Sequence, residues 1–275
     1  MTIVLTNDDG VTATGIGELG AALAAAGLPV VVVAPEANQS GVSRAATYTN
    51  PVRVSRARDA GPNVFSVSGT PVDCVRVALG GGLVPDASLV ISGINHGCNA
   101  GDDMFNSGTV GAAIESALFG VPAMAISQQS LPGHFNILEP VGVPTASFQQ
   151  SSEYGVALAR ALLNRPIPGR VVLNVNVPAQ PATGIGITRL GKRFNERNSL
   201  VPVANRGPAT YYLVYGSSED QPVPYETADG TDFAALRDGV VSVTPVSYEH
   251  DPGVDHGIGE WAEALLEDAR LHLAI

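Results

Sequence analysis

Three polar clusters in the first part of the chain each follow an apolar run: Thr6-Asn7-Asp8-Asp9-Gly10, Asn38-Gln39-Ser40-Gly41, and Ser92-Gly93-Ile94-Asn95 with Asn99 close behind. Asp8 and Asp9 are adjacent carboxylates. Neighbours in a strand face opposite sides, so the pair can share a target only where the chain has already turned, which Gly10 permits. Holding them together calls for positive charge, and the only lysine, Lys192, is remote in sequence. A divalent cation would supply it. With the Ser40 hydroxyl and the Asn95 amide oxygen the two carboxylates form an all-oxygen donor set, which suits Mg²⁺, Mn²⁺ or Ca²⁺ rather than thiolate- or imidazole-bound zinc. The expectation is one such cation per subunit on Asp8, Asp9, Ser40 and Asn95, with Asp8 and Asp9 as the catalytic pair. An Asp-Asp-Gly by itself is ordinary turn chemistry; the two companion clusters point to a ligand.

A fourth element, Ser107-Gly108-Thr109-Val110-Gly111-Ala112, opens a helical stretch with small residues. Backbone N–H groups at a helix N-terminus, flanked by Ser and Thr hydroxyls, can hold an anion, although an ordinary Ser or Thr cap reads the same way. Gly41, Asn95, Ser107, Gly108 and Thr109 are the expected phosphate contacts, and Asn7, His96 and Asn99 the candidate outer supports. A competing motif is Gly15-Ile16-Gly17-Glu18-Leu19-Gly20, the G-x-G-x-x-G of NAD- or FAD-binding oxidoreductases, with Glu36 where a ribose-binding acid would lie. In those folds the first glycine ends the first strand. Here Asp8 and Asp9 fill that turn and would meet a pyrophosphate with two carboxylates. His134, His250, His256 and His272 lack ligand spacing, and Cys74 reads as a small core residue. The basic stretch Arg189, Lys192, Arg193 and Arg197 reads as a solvated arm or as a contact for the distal part of a substrate.

The clusters converge only if the apolar runs before them are parallel strands of one sheet, whose carboxyl edge is where open α/β sheets bind ligands. Residues 3–5, 30–33, 89–91, 123–126 and 171–177 read as strands, and 15–26, 73–79, 110–119 and 154–163 as helices. Continuous rather than alternating apolar runs imply a mostly parallel sheet covered on both faces. From 184 to 225 the chain is rich in Pro, Gly, Asn and Arg, with 211–215 suggesting a strand or hairpin arm; 240–246 could rejoin the sheet, and 258–273 has the spacing of an amphipathic helix. The expected fold class is α/β: a Rossmann-like, doubly wound catalytic core over 1–183, an extended oligomerisation arm over 184–239, and a returning strand with a terminal helix over 240–275.

The 275 residues are 45% apolar and 15% charged, enough for a sizeable core and against disorder. Two cysteines are too few for a secreted disulfide scaffold or a zinc site. The chain opens without the basic and apolar regions of a signal peptide, and the longest uncharged apolar run, 19–35, is broken by Gly27-Leu28-Pro29. A cytoplasmic protein with no membrane partner is expected. The net charge of −11 is local: residues 215–275 hold thirteen acids and two bases, and the rest of the chain thirteen of each. The neutral N-terminal part does not repel a phosphate substrate, and no stable nucleic-acid partner is expected.

The clusters also carry a resemblance. Together with Val33-Ala34-Pro35, Gly69-Thr70-Pro71, Asp73-Cys74-Val75, Gly97, Asn174-Val175-Asn176-Val177-Pro178, Gly230-Thr231-Asp232 and Val241-Ser242-Val243-Thr244-Pro245, they occur in the order and spacing of the SurE survival-protein nucleotidases. The match is densest over residues 3–127. The resemblance implies a Rossmann-like, divalent-metal-dependent phosphatase of nucleoside 5′- and 3′-monophosphates, with short polyphosphate as a further substrate of some members. It places the metal ligands on Asp8, Asp9, Ser40 and Asn95 and implies a homodimer or homotetramer built with the C-terminal extension. This sequence departs from the family pattern at Cys98, at Leu213 and in the long connection 131–150. A non-catalytic nucleotide-binding module is the remaining alternative to an enzyme.

Overall fold

The computed structural model describes residues 1–57, 61–135, 147–168, 170–194, 200–214, 225–248 and 258–273. Its centre is a nine-stranded sheet of order β3-β4-β2-β1-β5-β6-β7-β11-β8: β1 (Thr2–Thr6), β2 (Val30–Pro35), β3 (Val54–Arg56), β4 (Val64–Val67), β5 (Ala87–His96), β6 (Ala123–Gln128), β7 (Val171–Val177), β8 (Gly184–Ile187) and β11 (Val240–Ser247). Strands β4, β2, β1, β5, β6 and β7 run parallel; β3 and β11 pair antiparallel with β4 and β7. A separate hairpin joins β9 (Leu200–Arg206) to β10 (Ala209–Val214).

Alternation along β1 explains the layering. Ile3 and Leu5 enter one apolar cluster with Ile16, Leu19 and Leu23 of α1 (Thr14–Ala25), Leu158 of α4 (Gln149–Asn164) and Leu265 of α6 (Ile258–Leu273). Val4 enters a second on the opposite face, with Val75 of α2 (Pro71–Leu79) and Val110 of α3 (Gly108–Leu118). This is the doubly wound α/β arrangement, and the carboxyl ends of β1, β2 and β5 lie side by side.

Three features differ from the sequence expectation. The β3–β4 pair is unannounced because its strands are only three and four residues long and Ser55, Arg56 and Ser66 break up their apolar residues. The chain over 184–187 stays on the sheet, pairing in parallel with β11, and α5 (Asp232–Arg237) packs on β11. Among the described residues the strands that leave the sheet are therefore β9 and β10, narrower than the expected arm. Finally, β5 runs on to His96, with its pairing to β6 jumping from Ser92 to Asn95.

Candidate active site

The turn after β1 is built by its own residues. Asn7 is fully buried; its side-chain amide donates to the Gly10 carbonyl at 2.9 Å and its oxygen accepts the Gly10 N–H at 3.2 Å. Gly10 completes the turn at φ +108°, where a side chain would be strained. The second loop is tied to the first, since Gln39 N–H donates to the Asp8 carbonyl at 2.7 Å. Within that loop Ser40 N–H donates to Asn38 Oδ1 at 2.9 Å.

The third loop depends on a bulge. A Cβ on Gly93, whose φ is +137°, would lie 2.2 Å from the Ile126 carbonyl oxygen, so only glycine lets β5 press against β6 there. The register jump re-aims the residues that follow, as bulges do beside active sites. Asn95 then donates its amide N–H groups to the carbonyls of Gly97 (2.8 Å) and His96 (3.3 Å), which turns its amide oxygen the other way. His96 N–H donates to Asp9 Oδ2 at 3.3 Å.

Asp8, Ser40, Gly41, Asn95, His96, Asn99 and Ser107 line one pocket of about 60 Å³ with Gly97, Cys98, Asp103 and Asn106. The structure thus brings together three of the four expected cation ligands. Asp9 borders the pocket through His96 and is not among its lining residues. Asn99 also serves as a structural knot: its N–H donates to Asn176 Oδ1, its amide to Ser127 Oγ, and its carbonyl accepts from Asn174 and Asn176.

The start of α3 departs from expectation. Thr109 donates its hydroxyl to Asp8 Oδ1 at 2.5 Å and its N–H to Asp8 Oδ2 at 3.2 Å. A Cβ on Gly108 would stand 2.9 Å from that of Asp8, and the Ser107 hydroxyl caps the helix by accepting from Val110 N–H. The anion held by this helix end is the Asp8 carboxylate, so Thr109 and Gly108 orient Asp8 instead of lining the pocket. Burial pushes the Asp8 carboxyl up from its ordinary range, and the bonds from Thr109 work against that shift.

The expected ion fits this cradle. Asp8 is only 3% exposed, and its described partners include no basic group. The donors the pocket offers are a mixed set of carboxylate, hydroxyl and amide oxygens, the chemistry a hard divalent cation takes. One water-sized group needs about 10–15 Å³ of such space. The pocket therefore accommodates a cation and a few oxygens.

The glycine motif of α1 has a different use. A Cβ on Gly15 would lie 2.2 Å from the Ile94 carbonyl oxygen, whereas Gly17 has nothing within 4 Å. Gly15 lets α1 seat on β5 and makes no phosphate loop. Sequence reasoning passed over Asp103, which lines the pocket; Arg193, read from the sequence as part of a solvated arm or a distal substrate contact, is instead buried and pairs with Asp103. The second Asp-Asp pair, Asp102-Asp103, was the available signal. Arg197 lies outside the described residues.

Sheet, helices and pocket define a class: a doubly wound, Rossmann-like α/β protein whose oxygen-rich pocket opens at the carboxyl edge of its parallel strands. Comparison with known proteins narrows it. The family described as Survival protein SurE matches residues 3–197, and the chain belongs to the SurE family. It is 38% identical over 271 residues to the 5′-nucleotidase SurE of Aeromonas hydrophila, covering 96% of this chain and 99% of that one. It is 40% identical over 254 residues to the 5′-nucleotidase SurE of Laribacter hongkongensis, covering 90% and 94%. The crystal structure of the SurE protein from Aquifex aeolicus superposes with a TM-score of 0.73 at 33% identity, covering 92% of this chain and 95% of that one.

Proposed function

We propose that the protein is a divalent-metal-dependent nucleotidase that hydrolyses nucleoside 5′- and 3′-monophosphates, with short polyphosphate as a secondary substrate. The relatives' activity supports the nucleotidase reading. The observation that carries the metal is the buried Asp8 carboxylate, held by the α3 N-terminus beside Ser40 and Asn95 with no basic partner among the described residues. Asp8, Asp9, Ser40 and Asn95 would hold one Mg²⁺, Mn²⁺ or Ca²⁺. Such an ion supplies charge neutralisation at the phosphate and a lowered pKa for an attacking water.

The chain's own groups do the rest. Thr109 fixes Asp8 in one orientation, and Gly41 and Ser107 line the pocket where the phosphate oxygens would sit, which contributes positioning and electrostatic stabilisation; Asn95, whose amide N–H groups are spent on the His96 and Gly97 carbonyls, offers its oxygen to the cation rather than a donor to the phosphate. Water attacks phosphorus, the bond to the nucleoside oxygen breaks, and the proton that oxygen takes up balances the one the water gives up. Asp8 already has both carboxylate oxygens engaged by Thr109, which favours its role as a ligand over that of nucleophile. Single turnover in ¹⁸O-water separates the routes: label entering phosphate directly supports water attack, and label in an enzyme carboxylate overturns it.

The direct test is phosphate release from nucleotides. Asp8→Asn and Asp9→Asn should abolish most activity with the fold intact, and a chelator should abolish it reversibly. Full turnover in excess chelator overturns the metal role, and nucleotide binding without phosphate release overturns the enzyme.

The hairpin β9–β10 supports assembly into a homodimer or homotetramer, since Val203, Tyr211 and Tyr212 are all more than half exposed. Cys74 and Cys98 are unpaired, which supports a reducing, cytoplasmic location. Among the described residues no helix is long and apolar enough to cross a membrane.

A further inference from the structure

The segment that follows β8 reaches back to the pocket wall and buries a charge there. Arg193, with its side chain 6% exposed, pairs through its guanidinium with Asp103, whose side chain is 8% exposed and lines the pocket. The same guanidinium donates to the Phe135 carbonyl and lies 5.5 Å from the centroid of the Phe233 ring. The Arg193 backbone N–H donates to Asp102 Oδ2 at 2.9 Å. Asp232 completes the joint, accepting N–H bonds from Gly101 (2.6 Å), Gly191 (2.8 Å) and Phe233 (2.9 Å). Both glycines are needed for the approach, because a Cβ on Gly101 or Gly191 would meet the Phe233 ring at 2.4 or 2.5 Å.

This joint puts a third carboxylate at a pocket that must admit an anion. A bound cation would offset Asp8 and Asp9. Asp103 lies on a different segment, the 3-10 turn Gly101–Asn106, and its charge is met by Arg193. A phosphomonoester arrives as a dianion. In a partly desolvated pocket an uncompensated carboxylate would oppose it strongly.

We propose that Arg193 is a positioning residue of the site: by pinning and neutralising Asp103 in the pocket wall, it keeps the pocket receptive to a phosphate dianion. The inference rests on the phosphomonoesterase reading. It assigns to the residues beyond β8 a part in substrate affinity, separate from any part in assembly.

The test uses the full chain loaded with Mn²⁺, with nucleotide kinetics, calorimetric binding of inorganic phosphate, and melting temperature as readouts. Arg193→Met keeps the stem but leaves Asp103 unpaired. It should raise KM, and the Kd for phosphate, by about tenfold or more, with kcat changed much less. Arg193→Lys, which keeps the charge, should hold KM near that of the parent. The double variant Arg193→Met/Asp103→Asn removes both charges and should recover most of the phosphate affinity. Asp103→Asn alone leaves an unopposed guanidinium and should tighten phosphate binding, which keeps the proposal testable should Arg193→Met not fold. An Arg193→Met protein with lowered melting temperature but unaltered KM and Kd, or an Asp103→Asn protein with unaltered or weaker phosphate binding, overturns the proposal. Absence of phosphate release by the parent chain would overturn the enzyme reading instead, and the phosphate-binding series would still be read independently.

Discussion

At the scale of single residues, the site is organised by what holds Asp8. Groups that orient a metal ligand typically alter affinity by about 10–100-fold when removed. Thr109→Val deletes the hydroxyl bonded to Asp8 Oδ1 while keeping the size of the side chain, so it should weaken Mn²⁺ binding within that range, and Thr109→Ser should restore it. Calorimetric titration of the metal, without substrate, checks this. A second carboxylate, Asp73, tests the surrounding framework. Burial works to raise its pKa, but bonds from the Thr47 hydroxyl (2.7 Å), Thr47 N–H (2.9 Å) and Thr70 N–H (2.9 Å) outweigh it and hold the carboxyl below its ordinary range. Because the folded value is the lower one, the unfolded chain takes up the proton first. The stabilisation is therefore complete above about 3.8 and is lost as pH falls through the folded value. Asp73→Asn should cost about 1–2 kcal/mol at neutral pH and should lose less further stability than the parent on acidification to about pH 3. Urea melts at the two pH values read both effects. That Asp8, Ser40 and Asn95 line one pocket could be anticipated because each lies in a polar cluster beyond an apolar run. The role of Thr109 could not, since a helix end that binds a phosphate and one that binds a carboxylate of its own chain read alike.

At the scale of elements, positions follow from close approaches that sequence motifs only hint at. Gly15 and Gly17 belong to one motif and sit two residues apart on α1, yet only Gly15 touches anything. Gly15→Ala would drive a methyl group into the Ile94 carbonyl and lift the helix start off β5, beside the bulge that aims Asn95. A loss of about 1–3 kcal/mol is expected, as for overpacking elsewhere, with activity falling as the bulge shifts. Gly17→Ala fills open space on an exposed helical turn and should add about 0.5–1 kcal/mol. Thermal melts of the two variants should therefore move in opposite directions; a shared direction would contradict the packing assigned to this motif. The parallel strands and their helices were readable from apolar runs and alanine-rich stretches. The β3–β4 pair was not, because its strands are only three and four residues long and broken by polar residues, and β8 was hidden in Gly184-Ile185-Gly186-Ile187, where alternate glycines give no strand signal.

At the scale of the whole molecule, helices cover both faces of the core sheet, while among the described residues the hairpin leaves apolar side chains exposed. Tyr211 and Tyr212 are adjacent on β10, although the pairing with β9 shifts between them, and both are about half exposed, as is Val203 on β9. A two-stranded ribbon is marginal in water by itself, and exposed apolar side chains on such a ribbon mark a contact surface. The occupant argued for is a second copy of the chain. The compositional shift after residue 184 told that some segment leaves the sheet, but only the strand pairing separates β9–β10 from β8 and α5, which stay with the core. On that pairing, the proposed assembly and the proposed metal site are expected to respond to mutation independently. Tyr211→Ser/Tyr212→Ser should shift the protein to a smaller species in size-exclusion chromatography with light scattering. Its Mn²⁺ affinity per subunit should stay within about twofold, because β9 and β10 pair only with each other and not with the sheet whose edge carries the pocket. A parent chain that is already monomeric at micromolar concentration, or a variant that keeps the parent's mass, would remove the hairpin from the interface and leave the core chemistry untouched.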